Sequence, residues 1–172
     1  MSSLFTPFHI DSPNGGITLE NRAVIAPMCQ YACTDGIAND WHLTHWAGLL
    51  NGGSAMVFLE ATAVTPDGRI SPGCLGIWDD AHATALGDNL RRARAQAPHT
   101  PICIQLAHAG RKASSAAPWD GGKLLALEAG GWQTRAPSAL AHGEGERAPS
   151  ALSTAEIAEL VQAFADAAKR AK

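Results

Sequence analysis

The sequence lacks any apolar stretch that approaches the roughly 18 uninterrupted residues a membrane-spanning helix needs. Residues 1–7 contain no basic segment followed by an apolar one, so no secretory signal is predicted. Basic charge is also scarce, because 13 lysines and arginines stand against 16 aspartates and glutamates, a net charge of −3. No basic cluster offers a field for nucleic acid. We therefore expect a cytoplasmic protein that binds neither a membrane nor nucleic acid.

Paired cysteines are missing as well. The chain has four cysteines, none of them in a Cys-x-x-Cys pair: Cys29, Cys33, Cys74 and Cys103. Their scatter argues against a disulfide framework, so reduced thiols are expected. Cys29 and Cys33 could together bind a metal ion, but no second pair of cysteines lies at the spacing of a zinc site. His42 and His45 stand three apart on a predicted helix. Surface or interface histidines are commoner than metal ligands, so no metal is predicted.

Apolar runs alternate with helical patterns in this chain, whose composition (46% hydrophobic, 17% charged) is typical of one globular domain. Three apolar runs are predicted strands: residues 22–27, 54–59 and 101–106. Three other segments are predicted helices: residues 40–51, 80–96 and 153–172. Asp40 is the expected N-cap of the first helix. The last helix opens with a capping box of Ser153 and Glu156.

This alternation predicts an α/β fold. Apolar strands that are each followed by a helix are typical of a parallel sheet covered on both faces. An open three-stranded parallel sheet leaves both edges unpaired, whereas a (β/α)8 TIM barrel closes the sheet with eight such units in about 250 residues. We therefore expect residues 1–172 to be the N-terminal part of a TIM barrel, with about three βα units.

A long excursion, residues 114–152, separates the third predicted strand from the last helix. It is rich in glycine, proline, alanine and tryptophan. A loop of this length in a compact domain is usually functional or carries small elements of its own. Trp119 and Trp132 within it are therefore open to two interpretations, a substrate lid or a small core that only packs.

The segment 102–112 predicts a binding site. Its apolar run carries Gln105 and then turns polar and basic at His108, Arg111 and Lys112. A buried amide without a partner costs about 1–3 kcal/mol, so a polar partner is expected at that end of the strand. Ligands of α/β folds bind at the carboxyl ends of the strands, which is where this segment turns polar.

Five motifs stand in register along the chain. They are LFTPF at residues 4–8 with LENR at 19–22, APMCQY at 26–31, EATAV at 60–64, GRI at 68–70 with GIW at 76–78, and QLAHAGRK at 105–112. Together they closely resemble the opening of the Old Yellow Enzyme family. The resemblance is nearest to its bacterial branch with an active-site cysteine, the xenobiotic-reductase-like or thermophilic-like ene-reductases, and it covers essentially the whole chain.

The resemblance implies a TIM barrel that holds FMN at the carboxyl ends of its strands, in a family member about twice as long. It implies a flavin-dependent ene-reductase, in which NADPH or NADH reduces FMN and the activated C=C bond of an α,β-unsaturated carbonyl compound is then reduced. The family's histidine pair, its catalytic tyrosine and its later arginines have no counterpart in this sequence. We therefore expect an inactive chain that a complementary C-terminal half-barrel completes, and a homo-oligomer of the complete enzyme.

Two alternatives stay open beside that function. One is a non-catalytic fragment or one half of a split barrel, which would share every motif. The other is a different FMN-dependent TIM-barrel oxidoreductase, which would share the architecture but not five motifs in register.

The resemblance also assigns residues at the end of the first strand. Four residues would face the edge of the isoalloxazine ring: Ala26, Pro27, Met28 and Cys29. Proline fixes the local backbone and has no N–H, which leaves neighbouring amides free to point at the ring. Cys29 would lie near flavin N5 and O4, where a thiol tunes the redox potential. The plainer interpretation of Cys29 is a small buried apolar side chain.

Three further positions follow from the resemblance. Gln105 would hydrogen-bond the flavin pyrimidine edge, although an amide tied to neighbouring backbone is the alternative. Ala61, expected just after a second strand that Glu60 closes, would let the backbone approach the ring. Tyr31, the sole tyrosine, would contact substrate through its hydroxyl, or would only pack at the rim. His108 and Arg111 are expected to order the loop rather than to catalyse.

Overall fold

The parallel sheet is the frame of the structure, a computed structural model that describes residues 3–13 and 15–172. The strands are β1 (Phe8–Ile10), β2 (Ile17–Leu19), β3 (Val24–Ile25), β4 (Met56–Ala63), β5 (Ile102–Ala107), β6 (Arg135–Ala136) and β7 (Ser150–Ala151). The helices are α1 (Asp40–Leu50), α2 (Asp80–Ala93) and α3 (Thr154–Arg170). None of these helices is long and apolar enough to cross a membrane, a finding limited to the described residues.

Strands β3, β4 and β5 form one sheet in that order, and both pairs are parallel. Each strand is followed by one helix, so the predicted order of three βα units is confirmed. The sheet does not close into a barrel within residues 3–13 and 15–172, and β3 and β5 are its edges. The structure therefore has the unit from which a (β/α)8 barrel is built, repeated three times.

One face of the sheet packs against helices. Val57 and Leu59 of β4 are 0% and 2% exposed, and they lie in a core with Trp46 and Leu50 of α1 and Leu86 of α2. The next part of the core lies under α3. Its buried members, with the partly buried apolar residues around them, are Val64, Ile77, Ala167, Ala83, Ile104, Leu106, Leu160, Ala163 and Phe164. Burial of this side drives the three units together, because a buried aliphatic side chain contributes about 1.5–3 kcal/mol.

The amino ends of the strands are covered by an antiparallel hairpin of β1 and β2, which the sequence patterns did not predict. Leu19 of this hairpin is buried with Ala55 and Met56, beside the partly buried Phe58 and Cys103. The opposite, carboxyl-terminal ends of the strands are therefore the open ends, where ligands of such folds bind.

The ends of two predicted strands were wrong. The first is only Val24–Ile25 rather than 22–27, and the second runs through Glu60 to Ala63 rather than stopping at Leu59. The longer strand follows from pairing with β5, which continues from Ala61 to Ala63. Ala63 also donates its N–H to the Leu75 carbonyl and accepts the N–H of Ile77. Ala61 consequently lies inside β4 and not after it.

Helix boundaries differ by smaller amounts. The N-cap of α1 is Asn39 and not Asp40, because the Asn39 side chain accepts the N–H of Trp41 while Asp40 is already helical. The predicted helix 80–96 is α2 followed by a 3₁₀ turn at Arg94–Gln96. The capping box that opens α3 is confirmed, with Ser153 as N-cap and Glu156 as its partner.

The excursion 114–152 carries only short elements: 3₁₀ turns at Pro118–Asp120 and Leu127–Ala129, and the parallel pair β6–β7. It is tied to the loop after β4 by Arg135, whose guanidinium binds both carboxylate oxygens of Asp67 at 2.5 and 3.1 Å. The Trp132 indole N–H donates to the Asp67 carbonyl at 3.0 Å. The excursion is thus fixed over the carboxyl end of the sheet.

Candidate active site

The carboxyl ends of β3, β4 and β5 bring together the segments that the sequence motifs mark. The segment 26–33 that follows β3 is anchored from two sides. The Gln30 N–H donates to the Glu60 carboxylate of β4 at 3.2 Å, and the Cys33 N–H donates to the Gly73 carbonyl at 2.9 Å. A backbone segment held in this way can present its own groups to a ligand without rearranging.

Four of the residues assigned to a cofactor lie on that segment. Ala26 and Met28 are exposed, Met28 to 60%, whereas Pro27 and Cys29 are half-buried. The Gln30 side chain holds the turn by donating to the Met28 carbonyl at 2.9 Å. The structure therefore places these residues beyond the end of β3, facing the open end of the sheet.

Tyr31 has an unusual backbone. Its φ of 55° lies in the left-handed region, a conformation that costs a non-glycine residue energy and often marks a functional site. Gly73 packs directly against it: a Cβ at Gly73 would lie 2.5 Å from the Tyr31 carbonyl oxygen, so only glycine fits. The Tyr31 ring meets Trp119 edge-to-face with centroids 5.1 Å apart. The pKa of the Tyr31 hydroxyl is raised above its usual value, mainly by burial, so the hydroxyl stays protonated.

Tyr31 and Trp119 line one cleft beneath the excursion. Its other wall comes from the segment 71–73 and from Ala116, Ala117, Asp120, Leu125 and Ala129. Trp119 is 70% exposed, so it does not close a small core, and it contributes an aromatic face to this cleft. Trp132 is half-buried, and the Arg69 guanidinium lies 5.2 Å from its ring centroid, which makes it part of the packing.

Gln105 is exposed, which corrects the prediction of a buried amide. It points away from the helices, since Ile102 and Ile104 of the same strand pack on the helix side. Within the described residues its amide makes no hydrogen bond and is open to solvent. Ala61 is its partner in register across the β4–β5 pair. A free amide opposite a methyl group leaves room and hydrogen-bonding capacity for a flat ring, so these residues fit FMN.

A pair of thiols lies beneath the segment 26–31. Cys29 is half-buried and in hydrogen-bonding contact with the buried Cys74, whose Sγ lies 3.3 Å from the Ser71 Oγ. The contact with Cys29 and the hydrogen bonds from Ser71 lower the pKa of Cys74 to about 6. The same contact, with burial, raises the pKa of Cys29, which therefore remains a thiol. Cys29 consequently donates its S–H to Cys74 and is not a thiolate nucleophile.

Glu60 and His42 form a second buried group that the sequence patterns did not identify as functional. Glu60 is 2% exposed and His42 is fully buried, which corrects the expectation of a surface histidine. Their closest atoms, Glu60 Oε2 and His42 Nε2, are 3.7 Å apart. Burial raises the pKa of Glu60 to about 7 and lowers the pKa of His42 to about 4, so the imidazole is neutral at neutral pH. The sequence feature that could have identified Glu60 is its position, directly after an apolar run and at the start of the motif at residues 60–64.

The remaining sequence-assigned residues make local contacts. His108 Nδ1 accepts the Gly110 N–H at 3.1 Å, and its ring packs against Gly68. Arg111 donates to the Ser138 Oγ at 3.0 Å and so connects the loop after β5 to the excursion. No group of three or more His, Cys, Asp or Glu residues in the described part of the chain is arranged to hold a metal ion.

Comparisons with known proteins identify relatives of this chain. The sequence profile of the NADH:flavin oxidoreductase / NADH oxidase family matches residues 3–172. An NADH:flavin oxidoreductase of Gibberella zeae is 42% identical over 174 residues, covering 99% of this chain and 41% of that protein. An NADPH dehydrogenase of Geobacillus thermodenitrificans is 40% identical over 171 residues, covering 98% of this chain and 44% of that protein.

Solved structures give the same result at lower identity. The Old Yellow Enzyme homologue of Zymomonas mobilis superimposes with a TM-score of 0.74 at 25% identity, covering 99% of this chain and 45% of that one. Morphinone reductase in complex with tetrahydroNAD superimposes with a TM-score of 0.73 at 26% identity. This chain spans less than half the length of the relatives it matches, and it corresponds to their N-terminal part.

Proposed function

The chain belongs to the NADH:flavin oxidoreductase / NADH oxidase family, and from that premise we propose that it forms one wall of the FMN site of an ene-reductase. The expected cofactors, FMN with NADPH or NADH, agree with the family and with the neighbouring structures. When bound, FMN supplies the hydride chemistry between the nicotinamide and the activated C=C bond of an α,β-unsaturated carbonyl compound. The residues of this chain bind and orient the reactants.

The exposed amide of Gln105 is the observation that carries the proposal. An amide with a free donor and a free acceptor matches the donor–acceptor edge of the flavin pyrimidine. Ala61 beside it lets the ring lie close to β4, while Ala26, Pro27 and Met28 line the other edge of the ring. Cys29 keeps its proton through its contact with Cys74, and its sulfur would lie near the redox-active part of the ring, where it would tune the potential.

Tyr31 is proposed to contact the substrate. Its hydroxyl keeps its proton, and its ring borders the cleft that it shares with Trp119. A protonated hydroxyl can donate a hydrogen bond to the carbonyl oxygen of an enone. The four free cysteines suit a reducing compartment, and we propose the cytoplasm.

The partner proposed for this chain is the remaining part of the barrel, on the same polypeptide or on another one. Both edges of the sheet, β3 and β5, present unpaired backbone groups, and Val24 of β3 is exposed. Added strands would pair these edges and supply the missing wall of the cofactor site. We also propose that the complete enzyme is a homo-oligomer.

Reconstitution tests this function. The chain is combined with the remaining segment of a family member and FMN, and NADPH and cyclohexenone are added in turn without oxygen. We expect NADPH to bleach the flavin absorbance, and cyclohexenone to restore it with formation of cyclohexanone. Flavin that is reduced by NADPH but never reoxidised by the enone would favour a different FMN-dependent oxidoreductase. An assembly that binds no flavin would favour a non-catalytic fragment.

A further inference from the structure

Glu60 occupies an irregular point in strand β4. Leu59 pairs with Ile104, but the next paired residue is Ala61 with Gln105, so Glu60 is the extra residue of a β-bulge. Bulges re-aim side chains and are common beside active sites. Because of the bulge, Ala61 lies on the same face of the sheet as Gln105. The Glu60 side chain is buried beneath the segment 26–31, where it bonds to Gln30.

The two oxygens of the Glu60 carboxyl have different surroundings. Oε1 accepts the N–H of Gln30 at 3.2 Å, in the middle of the segment that carries the proposed flavin-facing residues. Oε2 is buried and has no hydrogen-bond partner within the described residues. Leaving a buried carboxyl oxygen unpaired costs stability, and an apolar residue would avoid that cost. Packing alone therefore does not account for a glutamate here.

Side chains behind Glu60 hold it in place. His42 Nδ1 lies 3.2 Å from the Asn39 backbone nitrogen and 3.1 Å from Asn39 Oδ1, and the other ring nitrogen, Nε2, faces Glu60. That nitrogen lies 3.4 Å from Cys33 Sγ and 3.7 Å from Glu60 Oε2. The Glu60 backbone carbonyl also accepts the Thr62 hydroxyl at 2.8 Å. The carboxyl thus packs against His42 behind, accepts the Gln30 N–H in front, and also receives the backbone N–H of Leu75.

We propose that Glu60 is a positioning residue of the flavin site, which sets the segment 26–31 against the cofactor through its hydrogen bond to the Gln30 N–H. The proposal rests on the proposed function, because it concerns the same site. Glu60 does not touch the ring; it acts through Gln30, whose neighbour Cys29 would. Tyr31, with its left-handed backbone, is the residue on the other side of Gln30.

Two substitutions separate the hydrogen bond from the volume of the side chain. Glu60→Gln keeps an acceptor for the Gln30 N–H, and Glu60→Met keeps the length but removes the acceptor. Leu86→Ala is the control for general destabilisation, because Leu86 is buried in the helix-side core away from the segment 26–31. All three are made in the complete protein that contains this chain and the rest of the barrel.

Hydrogen–deuterium exchange at the Gln30 amide, measured after FMN is removed, is the first readout. We expect about tenfold less protection in Glu60→Met, which is the effect of one lost hydrogen bond, and near wild-type protection in Glu60→Gln and Leu86→Ala. The second readout is FMN affinity. We expect Glu60→Met to bind FMN about tenfold more weakly, with Glu60→Gln within about twofold of the wild type.

The outcomes distinguish this inference from the function on which it rests. Equal Gln30 protection and equal FMN affinity in Glu60→Met and the wild type would overturn the role of Glu60 and leave the function intact. Equal losses in Glu60→Gln and Glu60→Met would also overturn it, since the retained acceptor would then not matter. A wild type that binds no FMN would overturn the proposed function itself.

Discussion

The two faces of the three-stranded sheet differ sharply. The face toward the helices is closed, and Val57 and Leu59 are at most 2% exposed there. On the opposite face Gln105 is exposed and has no hydrogen-bond partner among the described residues, and Met28, beyond the end of β3, is 60% exposed. The difference shows what successive βα units can complete by themselves. Each helix covers its own strands locally, whereas the inner face of a barrel is finished only by strands from across it.

The same difference separates stability from function. The closed face holds the apolar core that makes the fold, whereas the open face and the segment 26–31 after β3 hold the residues proposed to meet FMN. Substitutions on the closed face should therefore lower the free energy of unfolding, and those on the open face should lower cofactor binding. Glu60 lies at the boundary, because it is buried but bonds to the segment that carries the open-face residues.

Leu59→Ala should give the largest effect on the closed face. Removing a fully buried leucine from a packed core costs about 2–5 kcal/mol of unfolding free energy. Urea unfolding of the complete protein measures this, with Gln105→Ala as the matched open-face control. We expect Gln105→Ala to change the unfolding free energy by less than about 0.5 kcal/mol in the FMN-free protein. Similar costs at both positions would break the distinction between the faces.

Gln105→Leu should give the largest effect on cofactor binding. The substitution leaves the polar edge of the flavin without its partner, and an unpaired buried polar group costs about 1–3 kcal/mol. FMN should therefore bind roughly tenfold to a hundredfold more weakly. A fluorescence titration with FMN measures this. Unchanged affinity would show that Gln105 does not contact the cofactor.

Cys29→Ala should have a smaller, electronic effect. Because Cys29 stays protonated, it is expected to tune the flavin and not to act as a covalent nucleophile. We expect reduction of an enone to remain measurable and the flavin midpoint potential to shift by about 30 mV, which corresponds to about 1.4 kcal/mol for two electrons. Spectroelectrochemistry measures the shift. Complete loss of turnover with FMN still bound would contradict this role.

The pH dependence of the unfolding free energy tests the role of Glu60, which lies between the two faces. Burial raises its pKa from 4.5 to about 7, so the folded protein holds this proton more tightly than the unfolded chain. The stability that Glu60 contributes is therefore present below pH 4.5 and is lost as the pH rises through 7. Glu60→Gln removes this loss. The melting temperature of Glu60→Gln minus that of the wild type should therefore be larger at pH 8 than at pH 5. Calorimetry at both pH values measures this difference. An equal difference at both would mean that Glu60 does not titrate in this range.

Other ionisable groups surround Glu60 and also affect how the melting temperature depends on pH. They are Cys29, Cys33, Cys74, Tyr31 and His42. His42 has the opposite dependence, because its pKa is lowered to about 4 and its contribution is lost as the pH falls. Since His42 is present in both proteins, the difference between them reports the Glu60 carboxyl together with its charge effect on the neighbouring thiols and Tyr31.

Much of the fold could be predicted from the sequence. The alternation of apolar runs and helical patterns gave the three βα units, because parallel strands buried by helices need apolar residues throughout. The end of β4 was missed because residues 60–63 include Glu60 and Thr62, polar residues that are nevertheless buried. The strand continues there because residues 61–63 pair with 105–107 and Ala63 bonds to segment 75–77, and these partners are distant in the sequence.

The site was only partly predictable, and for a similar reason. Cys29, Tyr31 and Gln105 were assigned through the family motifs, and the structure places them after β3 and near the carboxyl end of β5. The exposure of Gln105 could not be predicted, since the amide lies within an apolar run that reads as buried. The contact of Cys29 with Cys74 joins residues 45 positions apart through the packing of Gly73 on Tyr31, so it follows from tertiary structure alone.

The stability of the isolated chain sharpens the comparison further. Strands β3 and β5 leave unprotected edges, so residues 1–172 alone should associate, pair with themselves or aggregate. Sedimentation at micromolar concentration tests this. A sharp monomeric species with cooperative thermal unfolding would show that three βα units suffice.

FMN titration of this chain, with and without the remaining barrel strands, tests the central claim most directly. The claim is that residues 1–172 supply one wall of a flavin site whose other wall must be added. We expect no saturable FMN binding at micromolar concentration by the chain alone, and a yellow, stoichiometric complex once the remaining strands are present. A yellow preparation of this polypeptide alone would contradict the claim, because the open face would then be a complete site.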